Sequence, residues 1–266
     1  MRRTLFLMLA LLPFINAFGQ AKKAAPPSKP VYGDNVGFYY TKDHSWGFRF
    51  KNNGWSYFQQ NAKIVAERKR RLVEYEFGRI KHEKETRMSS FFTGGITSNP
   101  KAYVFGKQYS LYNFDVRWGN AHLLGYKANR NGVSLWVNYA AGPSLALLKP
   151  YQLILFYPDS NSTNGITSAN LVTTAYNESV ADHFLDPNFI YGAAGFWKGW
   201  AIKPVPGISA RIGFQVDFSS APDGINLVEF GVENHTYFWA TPLMASGPNH
   251  QSWTSIYLSF QFGSKK

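Results

Sequence analysis

The sequence predicts an all-β fold: an eight-stranded antiparallel transmembrane β-barrel with long extracellular loops. Three observations predict it. Eight segments alternate apolar and polar residues, aromatic residues gather at the segment ends, and the connections are longer at one end of the strands than at the other. Successive side chains of a strand point to opposite faces, so each such segment has one apolar and one polar side.

The segments run in order as follows. "SWGFRFK" (45–51) sets Trp46, Phe48 and Phe50 against Arg49 and Lys51. Asn53-Gly54 is a strong hairpin signal, because both residues tolerate the backbone of a tight primed turn. "WSYFQQ" (55–60) follows with poor alternation. "RLVEYEFGRI" (71–80) sets Val73, Tyr75 and Phe77 against Glu74, Glu76 and Gly78. "SLYNFDVRWG" (110–119) opposes Tyr112, Phe114, Val116 and Trp118 to Asn113, Asp115 and Arg117. "GVSLWVNYA" (132–140) opposes Val133, Leu135, Val137 and Tyr139 to Ser134, Trp136 and Asn138. "ISARIGFQVDF" (208–218) carries Arg211, Gln215 and Asp217 opposite Ile212, Phe214 and Val216. "NLVEFGVEN" (226–234) carries Glu229 and Glu233 opposite Val228, Phe230 and Val232. The last, "WTSIYLSFQF", puts Thr254, Ile256, Leu258, Phe260 and Phe262 on one side and Ser255, Tyr257, Ser259 and Gln261 on the other.

The apolar faces are expected to meet lipid. The polar faces are compact and mixed in sign: Arg49, Glu74, Glu76, Asp115, Arg117, Arg211, Asp217, Glu229 and Glu233. Lysine, the usual water-facing residue, collects instead in turns and termini, so these nine residues read as a lumen charge network. Trp46, Trp55, Trp118, Trp253, Phe260 and Phe262 lie near strand ends, where interfacial girdles are found. The inner connections are expected at 61–70, 120–131 and 219–225, and the outer ones at 52–54, 81–109, 141–207 and 235–251. Short turns on the side of the termini and long loops on the other are the membrane-barrel pattern. Hydrocarbon leaves no partner for a bare sheet edge, so the last strand must pair with the first. Eight strands enclose a bore that side chains can fill, which argues against a wide pore.

Composition agrees. Of the 266 residues only 17% are charged, against about a quarter in soluble domains, and 17% are aromatic. No cysteine is present, which removes disulfides and thiolate metal sites. The net charge of +12 is concentrated at Arg2 and Arg3, at Lys22, Lys23 and Lys29, at Lys265 and Lys266, and in a periplasmic basic turn, Lys63, Arg68, Lys69, Arg70 and Arg71. It is therefore not a nucleic-acid-binding stripe. "MRRTLFLMLALLPFINAFGQ" reads as a signal peptide with cleavage after Gly19. The expected organisation is residues 1–19 signal, 20–44 a periplasmic linker rich in Ala, Pro and Lys, and 45–264 an outer-membrane barrel.

"NNGWSYF…KRRLVEYEFGRIKHEKE", "FGKQYSLYNFDVRWG", "GPSLALLKPYQL" and "IYGAAGFWKG…PGISARIGFQVDF" carry a closer likeness. With the signal and the aromatic last strand, the chain resembles small outer-membrane barrels of the OmpA/OmpX/PorT-like type, and an uncharacterised barrel family of Bacteroidota in particular. The resemblance covers nearly all of the chain after the signal. It implies fold and outer-membrane location and carries no settled activity. In one respect the chain departs from it: "GSKK" follows Phe262, where many such barrels end on an aromatic residue.

No phosphate loop, dinucleotide fingerprint, zinc-protease helix or nucleophile elbow occurs. No catalytic residue, metal or cofactor is therefore expected. "HEKE" (82–85) and "ADHFLDP" (181–187) gather His82, Glu83, Glu85, Asp182, His183 and Asp186, most simply as solvated loops. Glu233, His235 and Thr236 are the candidates for a lipid-modifying enzyme, the alternative reading. A narrow channel or a small-ligand-binding barrel is a third. The main expectation is a non-enzymatic barrel serving an envelope complex for secretion or outer-membrane protein assembly. Its partners would be outer-membrane lipid and other envelope proteins. Segment 141–207 is too apolar for a disordered loop, and Phe189, Tyr191, Phe196, Trp197 and Trp200 are its candidate partner-binding residues.

Overall fold

A computed structural model describes residues 41–66, 68–90, 100–127, 132–158, 169–219 and 223–266. The expected signal peptide and nearly all of the expected linker lie outside these residues. The strands are β1 (Lys42–Lys51), β2 (Gly54–Ala66), β3 (Lys69–Ile80), β4 (Arg87–Met88), β5 (Tyr103–Val104), β6 (Tyr109–Gly125), β7 (Ser134–Pro150), β8 (Gln152–Pro158), β9 (Ala169–Ala175), β10 (Ile190–Ala193), β11 (Lys203–Asp217), β12 (Gly224–Thr241) and β13 (His250–Lys265).

Eight of them close into an antiparallel ring in the order β1-β13-β12-β11-β7-β6-β3-β2. Closure is made by the terminal strands, in a register running from Asp43↔Lys265 to Lys51↔Tyr257. No edge is left open in the ring, which is what a sheet in hydrocarbon requires. The ring end that holds Thr41 and Lys266 is called lower here, and the opposite end upper.

Each of the eight expected strands is present, and most are longer than the alternation indicated. β7 runs on to Pro150, β11 begins at Lys203, β12 reaches Thr241 and β2 reaches Ala66. The extensions were illegible because beyond the apolar belt both faces are polar or both are apolar, and the two-residue period vanishes. Consequently the expected 141–207 loop shrinks to 151–202, and the 61–70 connection to 67–68. The "basic turn" is corrected with it. Lys63 lies in β2 and Lys69, Arg70 and Arg71 in β3, with Lys63 paired to Arg71. Only Arg68 of the five stands between the strands. Arg70 pairs with Asp43 at 3.1 Å and stacks on Trp136 at 4.0 Å.

The upper connections carry their own structure. β10, β8 and β9 form a three-stranded sheet and β4 and β5 a two-stranded one. Tyr103, Leu153, Leu155, Phe184 and Ile190 form the buried core of this upper layer.

The exterior of the ring is apolar and its interior polar. Phe48, Phe50, Tyr75, Phe77, Phe114, Ile212, Phe214, Phe230, Ile256, Leu258 and Phe260 are all exposed. A soluble barrel has the reverse arrangement. Trp253 is a correction: expected in the outward girdle, it shares parity with Ser255 and Tyr257 and is buried within.

Candidate functional site

The lumen is filled in three layers. At the lower end Leu72, Trp136, Ala62, Ala121 and Ala140 form an apolar floor. At the upper end Ile80, Leu111, Leu148, Val205, Tyr237 and Trp253 belong to an apolar roof. Between them lies a charged layer.

β1, β3, β6, β11 and β12 each place acids or bases on their inward-facing positions, so closing the ring points them into one lumen. Arg211 Nη2 and Nε donate to the two oxygens of Glu74 at 2.7 and 3.0 Å, and its Nη1 donates to Glu229 at 2.6 Å. Arg117 Nη1 reaches Glu74 at 3.0 Å and Glu76 at 2.9 Å, and its Nη2 reaches Asp115 at 3.0 Å. The guanidinium of Arg49 pairs with Glu76, and with Glu74 at 3.2 Å. Lys51 pairs with Glu233 and, at 2.7 Å, with Glu76. All these side chains are fully buried.

Apolar groups support the charges. The Arg49 guanidinium lies between the rings of Phe58 and Tyr257, 4.5 and 4.6 Å from their centroids. This explains the poor alternation of β2: Phe58 is an aromatic residue that faces inward. The Tyr257 hydroxyl donates to Glu229, and Gly213 and Gly231 face each other beside it. A Cβ on Gly213 would stand 2.6 Å from that hydroxyl and 2.7 Å from Glu229 Oε1, so a side chain there would have to displace the Tyr257–Glu229 pair.

All nine expected lumen residues are buried, but they do not form one group. Asp217 lies apart near the lower end, where Lys127 meets it at 3.1 Å and the Ser219 N–H donates to it. The expected set lacked Lys51 and His235, which belong to the central layer. Parity could have found both, since Lys51 follows Arg49 by two residues and His235 follows Glu233 by two. Asn113, Asn138, Gln60, Gln215 and Gln261 add further hydrogen bonds to this layer.

Strand geometry separates the enzymatic candidates. Glu233 and His235 point into the lumen, while Thr236 points outward and bonds Asn234 and Ser252. The loop carboxylates and imidazoles are likewise dispersed. Glu85 takes Lys107 at 2.5 Å, Asp186 accepts from the Asn188 N–H, and His183 packs on Tyr157 and Phe189. Among the described residues Glu76, Glu233 and His235 do bring ligand atoms within 4.8 Å of one another. Arg49, Lys51 and Arg117 already occupy that position, and three fixed cations repel a metal ion.

The candidate partner-binding residues divide. Phe189 and Tyr191 pack into the upper layer, with Tyr191 only 4% exposed. Phe196, Trp197 and Trp200 form an exposed cluster, with Trp197 77% exposed and ring centroids 5.4 to 6.1 Å apart. The loop folds this way because Ile190 and Tyr191 lie in β10, against β8, whereas Phe196 to Trp200 lie beyond the strand.

No protein-family model and no curated protein sequence matches the chain. Solved structures with a similar fold include several outer-membrane β-barrel proteins. The attachment invasion locus protein Ail of Yersinia pestis is 9% identical with a TM-score of 0.38, the match covering 86% of this chain and all of that one. The N-terminal β-barrel domain of Pseudomonas aeruginosa OprF is 6% identical with a TM-score of 0.34, over 85% of this chain and 98% of that one. A major outer membrane protein of Thermus thermophilus is 9% identical with a TM-score of 0.38, over 84% and 98%.

Proposed function

We propose that the chain is a non-enzymatic outer-membrane β-barrel that serves an envelope complex for secretion or outer-membrane protein assembly. The observation that carries the membrane part is the inversion of the ring, with aromatic and aliphatic residues outside and ion pairs inside. The observation that favours a complex is the exposed cluster Phe196, Trp197 and Trp200. Aromatic clusters of this kind are what interfaces bury. The filled bore speaks against a conduit. An enzymatic role is disfavoured because His235 is sealed in the lumen, out of reach of a lipid outside.

The test is purification from native membranes in mild detergent with identification of bound proteins. A stable partner lost on Trp197→Ser/Trp200→Ser supports the reading. A solitary barrel, together with unchanged exported proteins in a deletion strain, removes it. Changed lipid mass spectra in that strain would favour the enzymatic alternative instead.

A further inference from the structure

We propose that the outward face of the upper rim, over β3, β6 and β7, binds the phosphate groups of a lipid headgroup in the surrounding leaflet. This rests on the reading that the apolar belt lies in a bilayer.

The sheet register brings the chemistry together. One outward row across the three strands is Phe77, Phe114 and Leu145. The next row up is Arg79, Tyr112 and Leu147. Above it Ser110 pairs with Lys149, and Lys81 follows the end of β3. Within two rows, roughly 14 Å of strand at about 3.4 Å per residue, the face changes from hydrocarbon to cation. Lipid makes the same change at its headgroups. The two zones are continuous, since Phe77 and Tyr112 stack with centroids 6.2 Å apart.

The upper loop roofs this face and leaves a cavity of about 670 Å³. The Lys149 ammonium lies 3.7 Å from the Phe196 ring centroid and 4.7 Å from that of Trp200, and donates to the Phe196 carbonyl. Seven lysine and arginine side chains line the cavity, against one carboxylate, Glu85. That carboxylate is taken by Lys107 at 2.5 Å and Arg79 at 3.6 Å. Among the described residues no carboxylate pairs with Lys81, Arg87, Lys101, Lys149 or Lys198. So many unneutralised cations around one hollow repel one another unless an anion with several charges enters. Burial also holds the Lys107 ammonium down to about 8, and an anion beside it would favour its charged form. The volume suits a phosphorylated saccharide headgroup, and acyl chains below it would lie on Phe77, Phe114 and Leu145.

The experiment uses the full mature chain folded into phosphatidylcholine nanodiscs. Bound lipid is measured by native mass spectrometry after addition of bis-phosphorylated lipid A or its dephosphorylated form. The expected result is retention of the phosphorylated lipid only, weakened at least about tenfold in Arg79→Gln/Lys149→Gln, as loss of charged hydrogen bonds implies. Lys101→Gln, outside the barrel strands, is expected to weaken retention too, and tests the site without disturbing the ring. Equal retention of both lipids, or variants that bind like wild type, overturns the proposal. Inositol hexakisphosphate binding as tightly as the lipid, and lost in the same variants, overturns the lipid assignment in favour of a soluble polyanion. Failure to enter nanodiscs overturns the membrane reading and this site together, whereas entry without phosphate preference overturns the site alone.

Discussion

Arg211 on β11 and Glu74 on β3 meet across the bore through two parallel hydrogen bonds, 2.7 and 3.0 Å long, although 137 residues separate them. The two strands are three positions apart in the ring, so the pair is a strut between walls that share no backbone hydrogen bond. Glu74 also accepts from Arg49 and Arg117, so three guanidinium groups converge on one carboxylate.

Removing that carboxylate strands buried cations. Glu74→Leu is expected to cost about 3–5 kcal/mol, because a broken buried pair leaves uncompensated charge. Urea unfolding of the refolded barrel, followed by the heat-dependent gel shift, measures it. The double variant Glu74→Leu/Arg211→Met is expected to lose less than the two single losses summed, by about 0.5–3 kcal/mol. Strict additivity would mean the strut carries no energy.

The belt makes a prediction about depth. Phe230 and Phe238 on β12 are about equally exposed, at 56% and 62%. Water would tolerate arginine at either. In a bilayer, Phe230→Arg is expected to cost about 2–4 kcal/mol and Phe238→Arg about 0–1, since Phe238 shares the outward parity of Phe230 but lies close to the strand's upper end. Folding titrations into phosphatidylcholine vesicles check the difference. Equal costs would remove the lipid-facing assignment.

Gly231 sits where a Cβ would press on the Tyr257 hydroxyl and on the carbonyl of Ile212. Gly231→Ala is expected to destabilise by about 1–3 kcal/mol, the usual cost of overpacking. Tyr257→Phe in the same chain should recover part of it by freeing space, at the expense of the bond to Glu229. No recovery in the double variant, by the same unfolding assay, would mean that the backbone contact alone sets the cost.

Among the described residues an apolar floor, an apolar roof and the ion pairs between them fill the lumen. Planar bilayers containing the refolded protein are expected to stay at baseline conductance. Discrete, reproducible current steps would contradict the filled lumen.

The upper loop should loosen in acid. Burial, and then the neighbouring His250, hold the His82 imidazole below its usual value. The Lys84 N–H donates to its Nδ1, which needs an unprotonated ring nitrogen. An opened loop takes up a proton below about pH 6.5 whereas the closed loop resists it. The closed state is therefore fully favoured above that pH and loses stability as pH falls through the depressed value. Hydrogen exchange at 81–86, corrected for intrinsic rate, should speed up in acid, and His82→Phe should abolish the dependence. Exchange insensitive to pH would disprove this role.

Much of the ring was legible in the sequence. Parity fixed which side chains share a face, so Arg49, Glu74, Glu76, Asp115, Arg117, Arg211, Glu229 and Glu233 could be grouped before any coordinates. Parity fails wherever both faces have the same character. It missed the upper halves of β7 and β12, the inward Phe58 and Trp253, and the apolar floor and roof that seal the charged layer. The loop aromatics were harder still. Nothing local distinguishes Tyr191, packed in a small sheet, from Trp197, left exposed.

Alternation along the chain sets a period: two residues per repeat, eight times over, with oil on one side and charge on the other. Which charges meet is set by the closed ring. Pairing across a bore depends on strand order and shear, which arise from the closure of the whole ring and leave no mark on any one strand. The same holds for the cationic hollow at the upper rim, whose residues come from barrel strands, from the small upper strands and from the connections between them, and become neighbours only once the sheet has closed beneath them.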